Sequence, residues 1–442
     1  MNKRLITAGI SAIALTTLVA ARHRVVSPAP ARPNIDIRRS VVVTDTDILS
    51  AFDFERVLRT LTDRSGTPTT PLQLYRQWFD TQNPKPGLIV ADAPHCDDFI
   101  VDGKPGFNGF ARTCPTPEGV LATSDPFAAH DYAPMGITMR FDLAPADGAN
   151  CGQYRIVYAK TTAAETLHII FEPVLPNPYP SLGISGCRAA AQFWADLSKV
   201  DSMADRRARI EHFFFDGIDG FEPVLHPSHF TNESGGGIRT LQATSPTPHF
   251  FQFHLQQQPS RLLMVPGTLE NVANPVLYNA ARTTPFGAEF RQFFISQVAT
   301  LAIDDVNGFY ERIPDKYLLG ETVSDNAQSE VIQGSSSAEG QAFKSAITAE
   351  LQRIGSNVAA NDVLLRVNMQ SCLGCHGAGS NIGNSLVFPR AQGGSHVTEQ
   401  VETTADGTRH AISPALRDVF APNRAKILAD FLTGKKLPAH SN

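Results

Sequence analysis

Tryptophan occurs only twice in these 442 residues, methionine six times and cysteine six times. Basic charge is not in excess: 38 Lys and Arg against 43 Asp and Glu give a formal net charge of −5. That balance removes the electrostatic footprint of a nucleic-acid binder. After residue 19 no apolar run approaches the length of a membrane helix, so no integral span is expected once the amino terminus is removed. There is no internal repeat, which excludes a solenoid, and no G-x-S-x-G, which removes one hydrolase signature. Gly235-Gly236-Gly237 lacks the strand, helix and lysine that a phosphate loop needs and reads as a turn. A single C-x-x-C occurs, with no second short-spaced cysteine pair, so a structural zinc site has half its ligands missing.

What is present is punctuation and phenylalanine. Glycine (32) and proline (31) are plentiful, and phenylalanine (27) far exceeds tyrosine (8), a composition suited to short strands and loops rather than a helical bundle. Residues 1–21 carry two early cations, an apolar run over 5–19 and then Ala20-Ala21, the pattern of a secretory signal peptide. Residues 22–39 read as a Pro-rich tether. Export implies an oxidising compartment, so Cys96, Cys114, Cys151 and Cys187 are candidates for two disulfides. Chain order favours Cys96–Cys114 and Cys151–Cys187, but three connectivities remain open. The chain is therefore expected to be periplasmic or secreted.

Periodicity divides the remainder. Helical spacing appears over 46–61, 71–79, 188–200, 204–215 and 286–301, and β-branched and aromatic runs over 137–143, 153–159, 167–174, 235–241 and 249–255 read as strands. Residues 40–325 are thus a mixed α+β body. A polar, serine-rich stretch over 326–341 reads as a linker, and residues 342–442 show helical patterns at 342–354, from Asn361 onward and at 423–432. The expected fold class is an α+β N-terminal body followed by a small all-α domain.

Within that last segment stands Cys372-Leu373-Gly374-Cys375-His376, a C-x-x-C-H, the attachment signature of c-type haem. On a helical turn two sulfurs three residues apart share a face and can each bond one vinyl group of a haem. The histidine projects from the same face and can place its imidazole under the iron. A thioredoxin-like dithiol would place the motif at a strand-to-helix junction, whereas residues 361–370 read as helix. With Ser413-Pro414-Ala415-Leu416 and the terminal helical pattern, the last hundred residues resemble the c-type cytochrome domain family.

That resemblance implies one covalent haem c held by Cys372 and Cys375, with His376 as proximal iron ligand and a cytochrome c-like fold for 342–442. It implies electron transfer with redox partner proteins of the cell envelope rather than an enzymatic reaction of its own. The chain departs from the family at the distal ligand, because its last methionine, Met369, lies upstream of the motif. His396, after Gly393-Gly394-Ser395, is the distal candidate, with His410 and His440 as the other downstream histidines. An open sixth position would instead suit a haem peroxidase or oxidase, and a binding or sensor protein carrying a haem module is a third reading. Arg140 to Pro145, with Cys151 to Arg155, also looks like a run in secreted bacterial proteins with a terminal haem motif, a similarity that assigns no chemistry.

A second concentration of histidine spans residues 212–254. His226 and His229 flank Pro227, with His249 and His254 downstream and Asp216, Asp219 and Glu222 near in sequence. His226 and His229 could form part of a metal site alongside His249 or His254, but the spacing matches no helical zinc pattern, and core and loop histidines explain the stretch better.

Overall fold

A computed structural model of the chain describes residues 31–161, 166–242, 249–323, 330, 334–367 and 395–437. In chain order its elements begin with β1 (Val42–Val43), α1 (Thr46–Leu49), α2 (Phe54–Arg64) and α3 (Pro71–Asp80). Three short strands follow, β2 (Ile100–Val101), β3 (Lys104–Phe107) and β4 (Phe110–Ala111), then β5 (Ala133–Arg140), β6 (Asn150–Thr161), β7 (Thr166–Glu172) and β8 (Val174–Pro176). Next come α4 (Arg188–Leu197), α5 (Met203–Phe215), β9 (Gly237–Gln242), β10 (His249–Gln258) and β11 (Arg261–Gly267). The remainder is α6 (Gly287–Ile295), α7 (Val298–Leu301), β12 (Thr322–Val323), α8 (Ala338–Arg353), α9 (Ala360–Arg366), β13 (Val397–Thr404), β14 (Gly407–Ile412) and α10 (Ala421–Leu432).

One large sheet organises these elements, with strand order β1-β5-β6-β7-β9-β10-β11; β8 adds to β6 and β12 to β10. Every pairing is antiparallel. Strand period two sorts the side chains. Tyr154, Ile156 and Tyr158 of β6, Ile169 and Phe171 of β7 and Phe251 and Phe253 of β10 point to one face and are buried with residues of α1 to α5. There the Phe54 ring centroid lies 4.5 Å from that of Tyr132 (tilted) and 5.2 Å from that of Tyr158 (edge-on), and both tryptophans, Trp78 and Trp194, are fully buried. Each such aromatic contributes about 1.5–3 kcal/mol relative to exposure. A second core lies among the later helices, where Phe290, Phe294, Ile347, Leu351, Val363 and Leu364 meet.

Local chemistry explains where helices start. The span 46–61, read from sequence as one helix, is two, because Asp53 is extended (φ −52°, ψ 139°) and its carboxylate accepts from Arg56 N to cap α2. Thr70 and Gln73 form a capping box on α3 with Pro71 in its first turn. Asn361 is not a cap; Ala359 precedes α9 and Asn361 lies inside its first turn.

The expected all-α cytochrome c-like domain is not what the carboxyl-terminal region forms. Residues 397–412 are a β-hairpin, β13–β14, followed by α10. Ile427, Leu428 and Phe431 of α10 belong to the same core as the sheet and α1 to α5, with Phe431 against Phe141 at 4.8 Å. Arg38 and Thr44 hold the hairpin by donating to the His410 carbonyl at 2.8 and 2.6 Å. Helical periodicity at 423–432 marked one element correctly, but its apolar face is buried by the body, so the described residues from Arg32 onward form one compact unit.

Of the span read as a tether, residues 32–39 are tied down: Arg32 pairs with Asp430 at 3.2 Å and Asp36 N donates to Ser198 Oγ at 2.9 Å. In the stretch read as a linker, Glu330 is buried and bonded to Asn279, and α8 begins at Ala338. The signal-peptide reading over 1–21 lies outside the described residues. Both favoured disulfides form, Cys96–Cys114 and Cys151–Cys187, with Cα atoms 5.6 and 5.3 Å apart. Among the described residues no helix is long and apolar enough to cross a membrane. Both facts are compatible with a secreted protein.

Candidate functional site

The sheet face turned away from α1 to α5 is the more polar one. In register across it lie Thr138, Arg155 and the end of β7 at Glu172; Val157, Ile170 and Arg239; and His168, Leu241 and Phe250. Here the hairpin and its flanks come down over the strands. Between them is a cavity of about 340 Å³, within the size range of small-molecule sites. Val157, Ile170, Leu241, Phe250, Val397 and Leu416 give it apolar walls. Arg140, Arg155, Arg424, His168, His396 and Glu399 supply its charge and hydrogen-bonding groups.

The arginines are held in place by carboxylates. Arg140 grips Asp142 with Nη2 to Oδ2 at 2.9 Å. Burial works against the Asp142 carboxylate, but Arg140 and Arg424 outweigh it and keep its pKa below the ordinary value. Arg155 and Arg239 both reach the buried carboxylate of Glu172 at 3.1 Å. Burial brings the Arg155 guanidinium down to about 10, which leaves it charged at neutral pH. Glu270 sits beside this network, where Gln153 donates to it at 3.3 Å, and burial raises its pKa against the pull of Arg239.

His168 is the unusual member. Its Nε2 lies 3.3 Å from Glu399 Oε1, and among the described residues its buried Nδ1 has no hydrogen-bond partner. Burial lowers its pKa and outweighs the opposing effect of Glu399, which favours the neutral ring. A neutral imidazole with an unpartnered nitrogen, apolar walls and three guanidinium groups together suit a flat apolar ligand bearing carboxylates.

Cys372, Cys375 and His376 lie outside the described residues. His396 is described and lines the cavity; its backbone is fixed through Ser413, which exchanges bonds with it at 3.1 and 2.9 Å. His410 is placed elsewhere, on β14 opposite Val401, and does not line the cavity. Sequence reading did not single out His168, Arg140, Arg155 or Arg424 as site residues. A signal existed: Arg140, Arg155 and His168 all occupy outward positions of otherwise inward-apolar strands.

The histidine stretch separates into four environments, the first that of exposed His212, whose Nδ1 lies 3.0 Å from Asp216 Oδ2. His249 pairs with Glu321. His254 directs Nδ1 to the Gly236 carbonyl at 2.7 Å. His226 and His229 meet Glu222, the three offering ligand atoms within 4.8 Å of one another. Their turn is rigid because Leu225 N donates to Phe214 O at 3.0 Å, Arg64 donates to Leu225 O at 2.7 Å, and Val224, Leu225 and Phe230 are fully buried. Gly236 comes so close that a Cβ there would sit 1.9 Å from the His229 carbonyl oxygen, which only glycine permits. The chain matches no family model, no curated protein and no solved structure.

Proposed function

We propose that this chain is an exported monohaem c-type protein that transfers electrons, its haem carried on an α+β scaffold rather than on an all-α cytochrome fold. The observation that carries the reading is the C-x-x-C-H at Cys372, Cys375 and His376, followed at residues 395–397 by side chains that line an apolar, arginine-rimmed cavity. Cys372 and Cys375 would bond the haem and His376 would ligate its iron. When bound, the haem supplies a one-electron iron couple. Arg140 and Arg155, while paired with Asp142 and Glu172, and Arg424 would face its carboxylates, Val157, Ile170 and Phe250 would exclude water from one part of the ring, and His396 would serve as the distal ligand. The two disulfides accord with attachment outside the cytoplasm. A second reading, a carrier of small anionic amphiphiles, is favoured by the same cavity and needs no haem.

Purification from a host with working haem-attachment machinery tests the proposal. A haem spectrum that survives denaturation and acid extraction is expected. A colourless mature protein with both motif thiols open to alkylation would overturn it.

A further inference from the structure

We propose that Glu222, His226 and His229 form a separate binding site for a divalent transition-metal ion of the zinc class. Their candidate ligand atoms lie within 4.8 Å of one another, and Glu222 Oε2 is 3.6 Å from His229 Nε2. In a tetrahedral site with bonds of about 2.0–2.1 Å, neighbouring ligand atoms stand about 3.3 Å apart. The Glu222–His229 separation is already close to that, and Glu222, whose side chain is 68 % exposed, and the partly exposed His226 both have room to adjust.

His229 is the second and independent observation. Its side chain is 0 % exposed, yet among the described residues Nε2 has no hydrogen-bond partner and meets only the Glu222 carboxylate, at 3.6 Å. Nδ1 lies 3.0 Å from the Val224 carbonyl, which accepts the ring proton and leaves the Nε2 lone pair directed to the cluster. Metal-ligating histidines are held in this way, one nitrogen donating to a backbone carbonyl so that the other faces the ion. A histidine serving only the core would leave that lone pair desolvated with nothing in return. His226 can follow the same logic. Ser228 Oγ, 2.7 Å from its Nδ1, can accept the Nδ1 proton and free Nε2 to ligate, at the cost of the longer 3.3 Å contact from Ser228 N.

The donor set, two imidazoles and one carboxylate, matches zinc and its neighbours rather than calcium or magnesium, which take oxygen ligands. Three protein ligands at a partly exposed turn leave a fourth position for water. His226 and His229 stand on a short turn started by Pro227, with ring centroids 5.4 Å apart. The core contacts of Val224, Leu225 and Phe230 hold that turn before any ion arrives.

Cobalt(II) titration of the haem-loaded, disulfide-intact full chain tests the site, because cobalt bands report the ligand type. One equivalent is expected to bind with visible ligand-field bands, without thiolate-to-cobalt charge transfer, and to be displaced by zinc. His226→Ala and Glu222→Gln change exposed or half-exposed side chains and should each weaken binding at least about ten-fold while the haem spectrum stays unchanged. His229→Gln should abolish binding but alters a buried residue, so the two surface variants decide. Absence of saturable binding, or binding that both surface variants leave unchanged, would overturn the proposal.

Discussion

His168 on the central sheet and Glu399 on the carboxyl-terminal hairpin meet with Nε2 and Oε1 3.3 Å apart. Residues 231 positions apart in the chain thereby close one wall of the cavity. Burial depresses the His168 pKa and Glu399 partly restores it. Glu399→Gln should therefore lower the His168 pKa further, with the ring's NMR titration moving to more acidic pH. Because Glu399 is 53 % exposed, the stability change should stay below about 1 kcal/mol. An unmoved titration would show that the carboxylate does not reach the ring in solution.

Leu428 on α10 is fully buried in the core that also holds both tryptophans. Leu428→Ala should destabilise the whole fold by about 2–5 kcal/mol. Since Trp78 and Trp194 both lie in the body, their fluorescence should unfold at a lower urea concentration and in step with far-UV circular dichroism. An independent carboxyl-terminal domain would leave the tryptophan midpoint where it was.

Glu311 is buried beside the Tyr278 hydroxyl, at 3.3 and 3.4 Å from its two carboxyl oxygens. Burial pushes its pKa up to about 8 from an ordinary 4.5, and the tyrosine opposes this only weakly. The folded chain thus holds a proton that the unfolded chain releases. The resulting stabilisation is fully present below pH 4.5 and is lost as pH rises through about 8. Glu311→Gln, neutral in both states, should flatten that slope in denaturation midpoints measured from pH 5 to 8. A slope unchanged by the substitution would place the titration elsewhere.

His396→Ala addresses the haem reading. In the haem-loaded protein the variant should convert a low-spin to a high-spin spectrum and admit carbon monoxide to the ferrous form. An unchanged spectrum would redirect the distal role to His410 or to another side chain, among which His168, across the cavity, is the first to test.

Much of the body was legible because strong periodicity and burial coincide. The strands over 153–159 and 167–174 alternate as the sheet requires, and the helix over 204–215 carries its buried stripe. Strand β11 went unread although Pro259-Ser260 and the apolar run at 262–265 spell a hairpin after β10. The hairpin β13–β14 went unread because its strands are half exposed and polar, leaving only β-branched residues and the Asp406-Gly407 turn as signals. The Glu222–His226–His229 cluster was obscured for another reason. Its ligands sit on an irregular loop and a short turn, where no fixed period links spacing to direction.

From residue order alone follow the haem-attachment signature, the export signal as an expectation, the pairing of the four remaining cysteines that chain order favours, and most regular elements, because these depend on chemistry within a few turns of chain. Tertiary structure alone decided that α10 completes the body's core, that His168, Arg140, Arg155, Arg424 and His396 share one cavity, and that His229 keeps a buried nitrogen facing Glu222. Those outcomes depend on which apolar face buries which, and burial is a property of the whole chain rather than of any local window.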